Sequence, residues 1–295
     1  MLTDKKRLRT KWIVVFLISL GMIPIAYVYG IFSQKNMYFP ANVIDECYYI
    51  FASRFSLLKP FTDISGKEVV SIGNCRNGPN VMVALVIGQS NAANHASYRT
   101  KSYGNVFNYY ENGCYVAVDP ILGASGSDGS IWPTFGDLVV QSKLFDRVVI
   151  VNAAMGGTSV RRWKPGGDMF DRLKKTVKGL SDNGITVTHV FWHQGEADCR
   201  YRTGRLQYQE RFMNLVGALR DMNVTAPIYV AKVSRNPIPC EQILQAQTDL
   251  ISAKLGILSG PDADSVLFRF DGVHLNKEGI KATSKLWFDA IADGS

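Results

Sequence analysis

Val81–Asn91 reads VMVALVIGQSN. A run of apolar, largely β-branched residues passes without a break into Gly88-Gln89-Ser90-Asn91. An unbroken apolar run of this length is the pattern of a strand covered on both faces, as strands are inside a parallel sheet. The glycine-led polar turn that follows presents one hydroxyl. Open α/β sheets bind their ligands at the carboxyl ends of their strands, which places Ser90 where a nucleophile would stand. Glycine and serine are also ordinary turn residues, so this turn by itself carries no chemistry. The rest of the chain decides.

Outward from this segment the pattern alternates. Arg147–Val151 (RVVIV), Val187–Trp192 (VTHVFW), Pro227–Val233 (PIYVAKV) and Val266–Phe270 read as further strands. Between and after them lie helical stretches. Met169–Leu180 carries an apolar stripe at Phe170, Leu173, Val177 and Leu180, and Arg205–Met222, Glu241–Leu255 and Lys277–Ala292 follow. Strands alternating with helices predict an α/β fold, a three-layer α/β/α sandwich around a mostly parallel, five-stranded sheet of flavodoxin-like type. There is no internal repeat and no low-complexity segment.

The chain has 295 residues, of which 46% are hydrophobic and 20% charged, a globular composition with material for a sizeable core. Half of the net charge of +8 sits in the first eleven residues, on Lys5, Lys6, Arg7, Arg9 and Lys11 against Asp4. With no basic, aromatic-interleaved stripe later in the chain, nucleic acid is not an expected partner. Trp12–Phe32 holds no charged residue and is long enough to span a bilayer. The expected organisation is a cytoplasmic basic tail (1–11), a transmembrane signal anchor (12–32), a juxtamembrane stalk or packed extension (33–80) and a catalytic domain (81–295). The positive-inside rule puts the N-terminus in the cytoplasm and the domain outside it. A cleaved signal peptide is the rival reading, against which stand the segment's length and the lack of a clear small-residue cleavage site. The five cysteines show no zinc spacing. An oxidising compartment would allow Cys47–Cys75 or Cys199–Cys240 bridges, and buried unpaired thiols are the other reading.

The turns that end the predicted strands share a character. After the first comes Gly88-Gln89-Ser90-Asn91, after the second Asn152–Ser159 (NAAMGGTS), after the third His193–Asp198 (HQGEAD), and after the fifth Asp271-Gly272-Val273-His274. Acyl transfer by serine needs a hydroxyl, a base within reach, an acid to orient that base, and donors for the oxyanion. Ser90 supplies the hydroxyl. His274 is the candidate base, with Asp271 three residues before it as its orienting acid. The candidate oxyanion donors are the backbone N–H of Ser90, a glycine N–H at Gly157 or its neighbour Gly156, and the side-chain amide of Gln194. Asp271 as a turn former, His274 as a surface residue and the glycine pair as a plain tight turn are the bland alternatives.

These four blocks, in this order, resemble the SGNH/GDSL hydrolase superfamily, and within it the sialate O-acetylesterase-like branch of the carbohydrate esterase family 6 type. There the usual GDS block reads GQSN and the third block reads HQGE. The resemblance covers Val81–Ala292. It implies Ser90 as nucleophile, Asp271 and His274 as the rest of the triad, Gly157 as the second-block oxyanion glycine, Gln194 at the third-block position, and Glu196 as a residue that braces the loops. Gln89, Asn91, Gly156 and Trp163 join as supporting or substrate-lining residues.

No metal or organic cofactor is expected. His189 and His193 lie on one face of a strand but lack a third ligand with sensible spacing. His95 reads as a loop histidine near the serine turn. Arg161, Arg162, Trp163 and Trp132 are either packed residues or walls for a sugar ring. Gly123–Gly129 (GASGSDG) is a flexible loop near the site and lacks the ending of a phosphate loop. The expected activity is removal of O-acetyl groups from a carbohydrate through an acetyl-serine. An O-acetyltransferase of envelope polysaccharide with the same triad, and a non-catalytic glycan-binding subunit of an envelope complex, are the alternatives.

Overall fold

The structure, a computed structural model, describes residues 22–33, 39–40, 43–44, 47–48, 51 and 59–293. Residues 1–48 form one compact unit and 49–295 a second. In the first unit a helix over 22–33 exposes Met22, Ile23, Ile25, Tyr27, Val28, Tyr29, Ile31 and Phe32. The expected basic tail, the first half of the expected anchor and most of the 34–58 stretch lie outside the described residues. Among the described residues no helix is long and apolar enough to cross a membrane.

The second unit is built on one sheet of eight strands. They are β1 (Val69–Val70), β2 (Val81–Gly88), β3 (Val106–Tyr110), β4 (Gly113–Val116), β5 (Arg147–Asn152), β6 (His189–His193), β7 (Ile228–Lys232) and β8 (Ile257–Asp262). Their order is β1-β4-β3-β5-β2-β6-β7-β8. From β3 to β8 all neighbours are parallel, while β4 runs antiparallel to β3 and β1 antiparallel to β4. The sheet is therefore mixed and eight-stranded, a correction to the expected five. The β3–β4 hairpin has no apolar run to announce it. Its turn, Glu111-Asn112, takes positive φ at both residues, which suits the twist of a two-residue hairpin.

A second correction concerns the last strand. Val266–Phe270 has a strand's alternation, yet Leu267, Phe268 and Phe270 are exposed and no strand forms there. The strand beside β7 is instead Ile257–Asp262, ILSGPD, whose serine, glycine and proline hide it from a reading of apolar runs. Proline is tolerated there because β8 is an edge strand.

β2 is central and buried along its whole length. Its odd residues, Val81, Val83, Leu85 and Ile87, enter one core with α2 (Asp168–Asp182), α4 (Arg205–Asp221) and α5 (Glu241–Asp249). Its even residues, Met82, Ala84 and Val86, enter the other with α1 (Trp132–Gln141) and α6 (Lys277–Ala292). This side-chain alternation into two apolar layers is what makes the run unbroken. Asn276 caps α6 by accepting from the Glu278 and Gly279 N–H groups at 3.0 Å, an arrangement worth about 1 kcal/mol.

The 59–80 segment belongs to this domain. Phe61 N–H donates to Ala124 O, β1 extends the sheet edge, and Cys75 is disulfide-bonded to Cys114 in β4. That bond replaces the expected Cys47–Cys75 pairing, and Cys199 and Cys240 are free thiols rather than a bridge. The Cys75–Cys114 link closes a loop of 39 residues. Loop-closure entropy for such a length corresponds to about 4 kcal/mol. Replacing both Cys75 and Cys114 with serine is expected to lower Tm on the order of 10 °C, read by differential scanning calorimetry. An unchanged Tm would show that the edge is held by β-pairing alone.

Candidate active site

The carboxyl ends of β2, β5 and β6 meet because β2 ends in a glycine. At Gly88 φ is +143°, and a Cβ there would come within 2.2 Å of the His193 carbonyl oxygen. With no side chain in the way, Gln89 N–H donates to His193 O and Met155 N–H donates to Gly88 O, which joins the serine turn to both neighbouring turns. Ser90 then opens a single 3-10 turn, Ser90–Ala92, and lines a cavity of about 470 Å³. Gln89, Gly156, Gly157, Glu196 and His274 line the same cavity.

The Asp271–His274 turn is held by its own carboxylate. Asp271 Oδ1 accepts the backbone N–H groups of Val273 at 2.9 Å and His274 at 2.6 Å, and Oδ2 lies 2.6 Å from His274 Nδ1. A carboxylate only accepts, so Nδ1 carries the proton and Nε2 is left as the basic nitrogen. Burial by itself would raise the Asp271 pKa. The hydrogen bonds from His274 and Val273 outweigh it and hold the carboxyl below its ordinary value, ionised across the neutral range. Among the described residues no hydrogen bond joins Ser90 to His274. Such bonds are often open in empty sites and close around substrate.

A buried brace connects the serine turn to this histidine turn. Asn91 Nδ2 donates to Glu196 Oε1 at 2.8 Å and to Val273 O at 3.2 Å. Glu196 stands at the start of α3 (Glu196–Arg200), fully buried, and burial raises its pKa toward the neutral acid. Its carboxyl thereby ties the start of α3 to the serine turn through Asn91.

The oxyanion donors sort differently from the expectation. Gly156 N–H is committed to Ser125 Oγ at 2.7 Å, which leaves the Gly157 N–H, on a residue with φ +69°, as the glycine donor. Neither Ser90 N–H nor Gly157 N–H has an acceptor among the described residues. Gln194 does not line the cavity. Its amide nitrogen is spent in the core on Asp198 Oδ2 at 2.7 Å, Thr158 O at 3.0 Å and Gln89 Oε1 at 3.2 Å. Gln89 receives that bond and another from Ala197 N–H at 3.0 Å, both on Oε1. That oxygen is anchored, and Gln89 lines the cavity beside Ser90, whereas Gln194, which donates to it, does not. Asp198, at the root of this network, has its pKa raised to about 6 by burial, against the hydrogen bonds it accepts from Thr203, Val160 and Gln194.

Other candidates fall away from the cavity. Trp163 is fully buried, its Nε1 donating to Thr158 Oγ1, so it packs the core and does not line the site. Trp132 is equally buried, with Nε1 donating to Ala92 O. Arg162 is buried against Asp168 at 2.5 Å. His189, half-buried, and His193, fully buried, are discharged by burial, with pKa values pushed down to about 4 and about 3, and no group of three metal-ligating side chains occurs among the described residues. Lys59, Arg200 and Asn236, which no sequence motif marks, also line the cavity, as does Ser125 of the Gly123–Gly129 loop. Arg200 ends α3, and the others lie in separate loops.

A family model described as carbohydrate esterase, sialic acid-specific acetylesterase, matches residues 80–293. A probable carbohydrate esterase of Arabidopsis thaliana is 27% identical over 131 residues, 44% of this chain and 49% of the relative, so the match spans about half that relative's length. The solved structure of that Arabidopsis protein superposes with a TM-score of 0.59 at 19% identity, over 74% of this chain and 98% of the other. The structure of NanS gives 0.53 at 14% identity, over 74% and 98%.

The two glutamines separate by substitution. Gln89→Glu keeps the anchored oxygen and exchanges the donor for an acceptor, so kcat is expected to fall about 100-fold with little change in KM. Gln194→Leu strips donors from Asp198 and Gln89 and is expected to lower stability by about 1–3 kcal/mol. Steady-state kinetics paired with urea unfolding of the two variants reads both effects, and a Gln89→Glu variant with wild-type kcat would return the donor to Gln194.

Proposed function

Since the chain belongs to the carbohydrate esterase, sialic acid-specific acetylesterase family, we propose that it removes O-acetyl groups from a carbohydrate with Ser90 as nucleophile. The observation that carries this reading is that His274, held by Asp271 at 2.6 Å, lines the same cavity as Ser90.

In this reading Ser90 Oγ attacks the acetyl carbonyl carbon and His274 Nε2 takes its proton. The negative charge that forms on the carbonyl oxygen is met by the N–H groups of Ser90 and Gly157 and the Gln89 amide. Collapse breaks the bond to the sugar oxygen, which leaves with the proton from His274 and gives acetyl-Ser90 and a free hydroxyl. Water, deprotonated by His274, then attacks the acetyl carbon, and acetate leaves as Ser90 recovers its proton. Asp271 holds the imidazole tautomer throughout and stabilises its charged form. No step calls for a metal or an organic cofactor.

The sugar is proposed to be an acidic one of the sialate kind. The family description supports this, as do Lys59 and Arg200, two cationic residues among those that line the cavity. The proposed setting is outside the cytoplasm, with the N-terminal apolar segment as a membrane anchor. The Cys75–Cys114 disulfide and the exposed apolar side chains of 22–33 support it, since disulfides persist in oxidising compartments.

Acetate release by the full-length chain from O-acetylated sialic acid, compared with an O-acetylated neutral sugar, tests both parts. Ser90→Ala is expected to abolish release, and Asp271→Asn to lower kcat by about 10³-fold or more by freeing the wrong tautomer. Undiminished turnover by Ser90→Ala, or acetyl groups recovered on an added glycan instead of as acetate, would overturn the hydrolase.

A further inference from the structure

One side chain at the cavity joins the base to the oxyanion turn. His95 follows the serine turn by five positions and is half-buried on the cavity wall. Its ring stacks on that of His274, with centroids 5.7 Å apart and planes 24° from parallel. Its Nε2 lies 3.1 Å from Ser125 Oγ, the atom that accepts the Gly156 N–H at 2.7 Å. A Cβ on Gly156 would come within 3.1 Å of the same Nε2, so the glycine allows this close approach.

Ser125 Oγ has one proton and two lone pairs, so it can take the Gly156 N–H and still donate to a neighbour. Burial first, and the neighbouring His274 second, push the His95 pKa down to about 4, leaving a neutral ring, which in its Nδ1–H tautomer accepts at Nε2. The other charged neighbour, Asp128, acts weakly in the opposite sense. The result is a chain from His274 through His95 and Ser125 to the Gly156-Gly157 turn. Phe270 is the second ring stacked near His274, at 6.1 Å, and it lies on the base's own turn. Only His95 reaches across to the oxyanion side.

We propose that His95 is a positioning residue: its ring backs the His274 imidazole, and its Nε2 takes the Ser125 proton, so that Ser125 orients the Gly156-Gly157 peptide toward the oxyanion. The proposal rests on the serine mechanism above and adds to it a residue outside the four sequence blocks. A neutral ring against the base also keeps water from that face, and holds it where the serine proton and the leaving oxygen can both be reached.

The test uses the full chain with 4-nitrophenyl acetate, together with the rate at which a fluorophosphonate labels Ser90. His95→Ala is expected to lower kcat and the labelling rate about 10- to 100-fold with KM nearly unchanged. His95→Phe keeps a ring but no acceptor, and His95→Gln an acceptor but no ring; each is expected to recover part of the loss. Ser125→Ala lowers kcat as well, and the His95→Ala/Ser125→Ala double variant costs no more than the worse single one, because the two act as a unit. Should His95→Ala fold poorly, the Phe and Gln variants and Ser125→Ala carry the same reading. Wild-type kcat in His95→Ala, a loss confined to KM, or additive single losses would overturn the proposal while leaving the esterase standing. A wild-type chain that labels at Ser90 but releases no acetate would overturn the esterase reading, with the role of His95 still read from labelling rates. A wild-type chain that does neither overturns both.

Discussion

The architecture of this site depends on an absent side chain. At Gly88 the central strand passes so close to the His193 carbonyl that any β-carbon would collide with it. Because there is none, the Gly88-Gln89 backbone hydrogen-bonds toward β6 on one side and toward the turn after β5 on the other. Three strand ends are drawn into one surface. Ser90 leaves the sheet at their junction, with the Gly157 turn on one flank and the start of α3 on the other. A larger residue at position 88 would have to push the strands apart, and with them every donor set around the serine.

Beneath the cavity lies a polar floor within an apolar protein. Gln194, Asp198 and Glu196 are fully buried, and Gln89 and Asn91 nearly so. Burying such groups is unfavourable unless their donors and acceptors are met. Here most are met by one another. Asp198 takes hydrogen bonds from three residues, Gln89 Oε1 takes two, and Asn91 gives two. Gln194 Oε1 and Glu196 Oε2 are the members' buried oxygens left without a partner among the described residues, and the bonds that are made hold the rest in place, because moving one member leaves another unpaired in a low dielectric. That rigidity serves the site: it fixes the Gln89 amide and the Val273 carbonyl next to the base, where a solvated side chain would wander.

Much of the fold was legible because its signal is local. The apolar runs of β2, β5, β6 and β7 and the amphipathic stripes of α2, α4 and α6 need no knowledge of the rest of the chain. Edge structure was less legible for the same reason. β3, with Asn108 and three aromatics, and β8, with serine, glycine and proline, are strands because neighbouring strands offer them a ladder, and the exposed side chains of Val266–Phe270 show the converse. Of the site, the triad candidates were legible from short turns of characteristic composition. The cavity residues Lys59, Arg200 and Asn236 were not, since no local pattern marks them as lining a cleft, and Ser125 was legible only as part of the Gly123–Gly129 loop.

By itself the sequence determined the layered α/β architecture, the family resemblance and the order of the four blocks, all of which follow from periodicity and from backbone rules that act within a few residues. Only the tertiary structure decided which amide of two glutamines faces the cavity, that Trp132 and Trp163 pack the core, that Cys75 meets Cys114, and that His95 stands against the base. Most of these turn on which group a side chain meets far along the chain, as Trp132 meets Ala92 at a separation of 40, Cys75 meets Cys114 at 39 and Asn91 meets Val273 at 182. Such meetings are settled by close packing and by the demand that every buried polar atom find a partner, and neither leaves a local trace in the sequence.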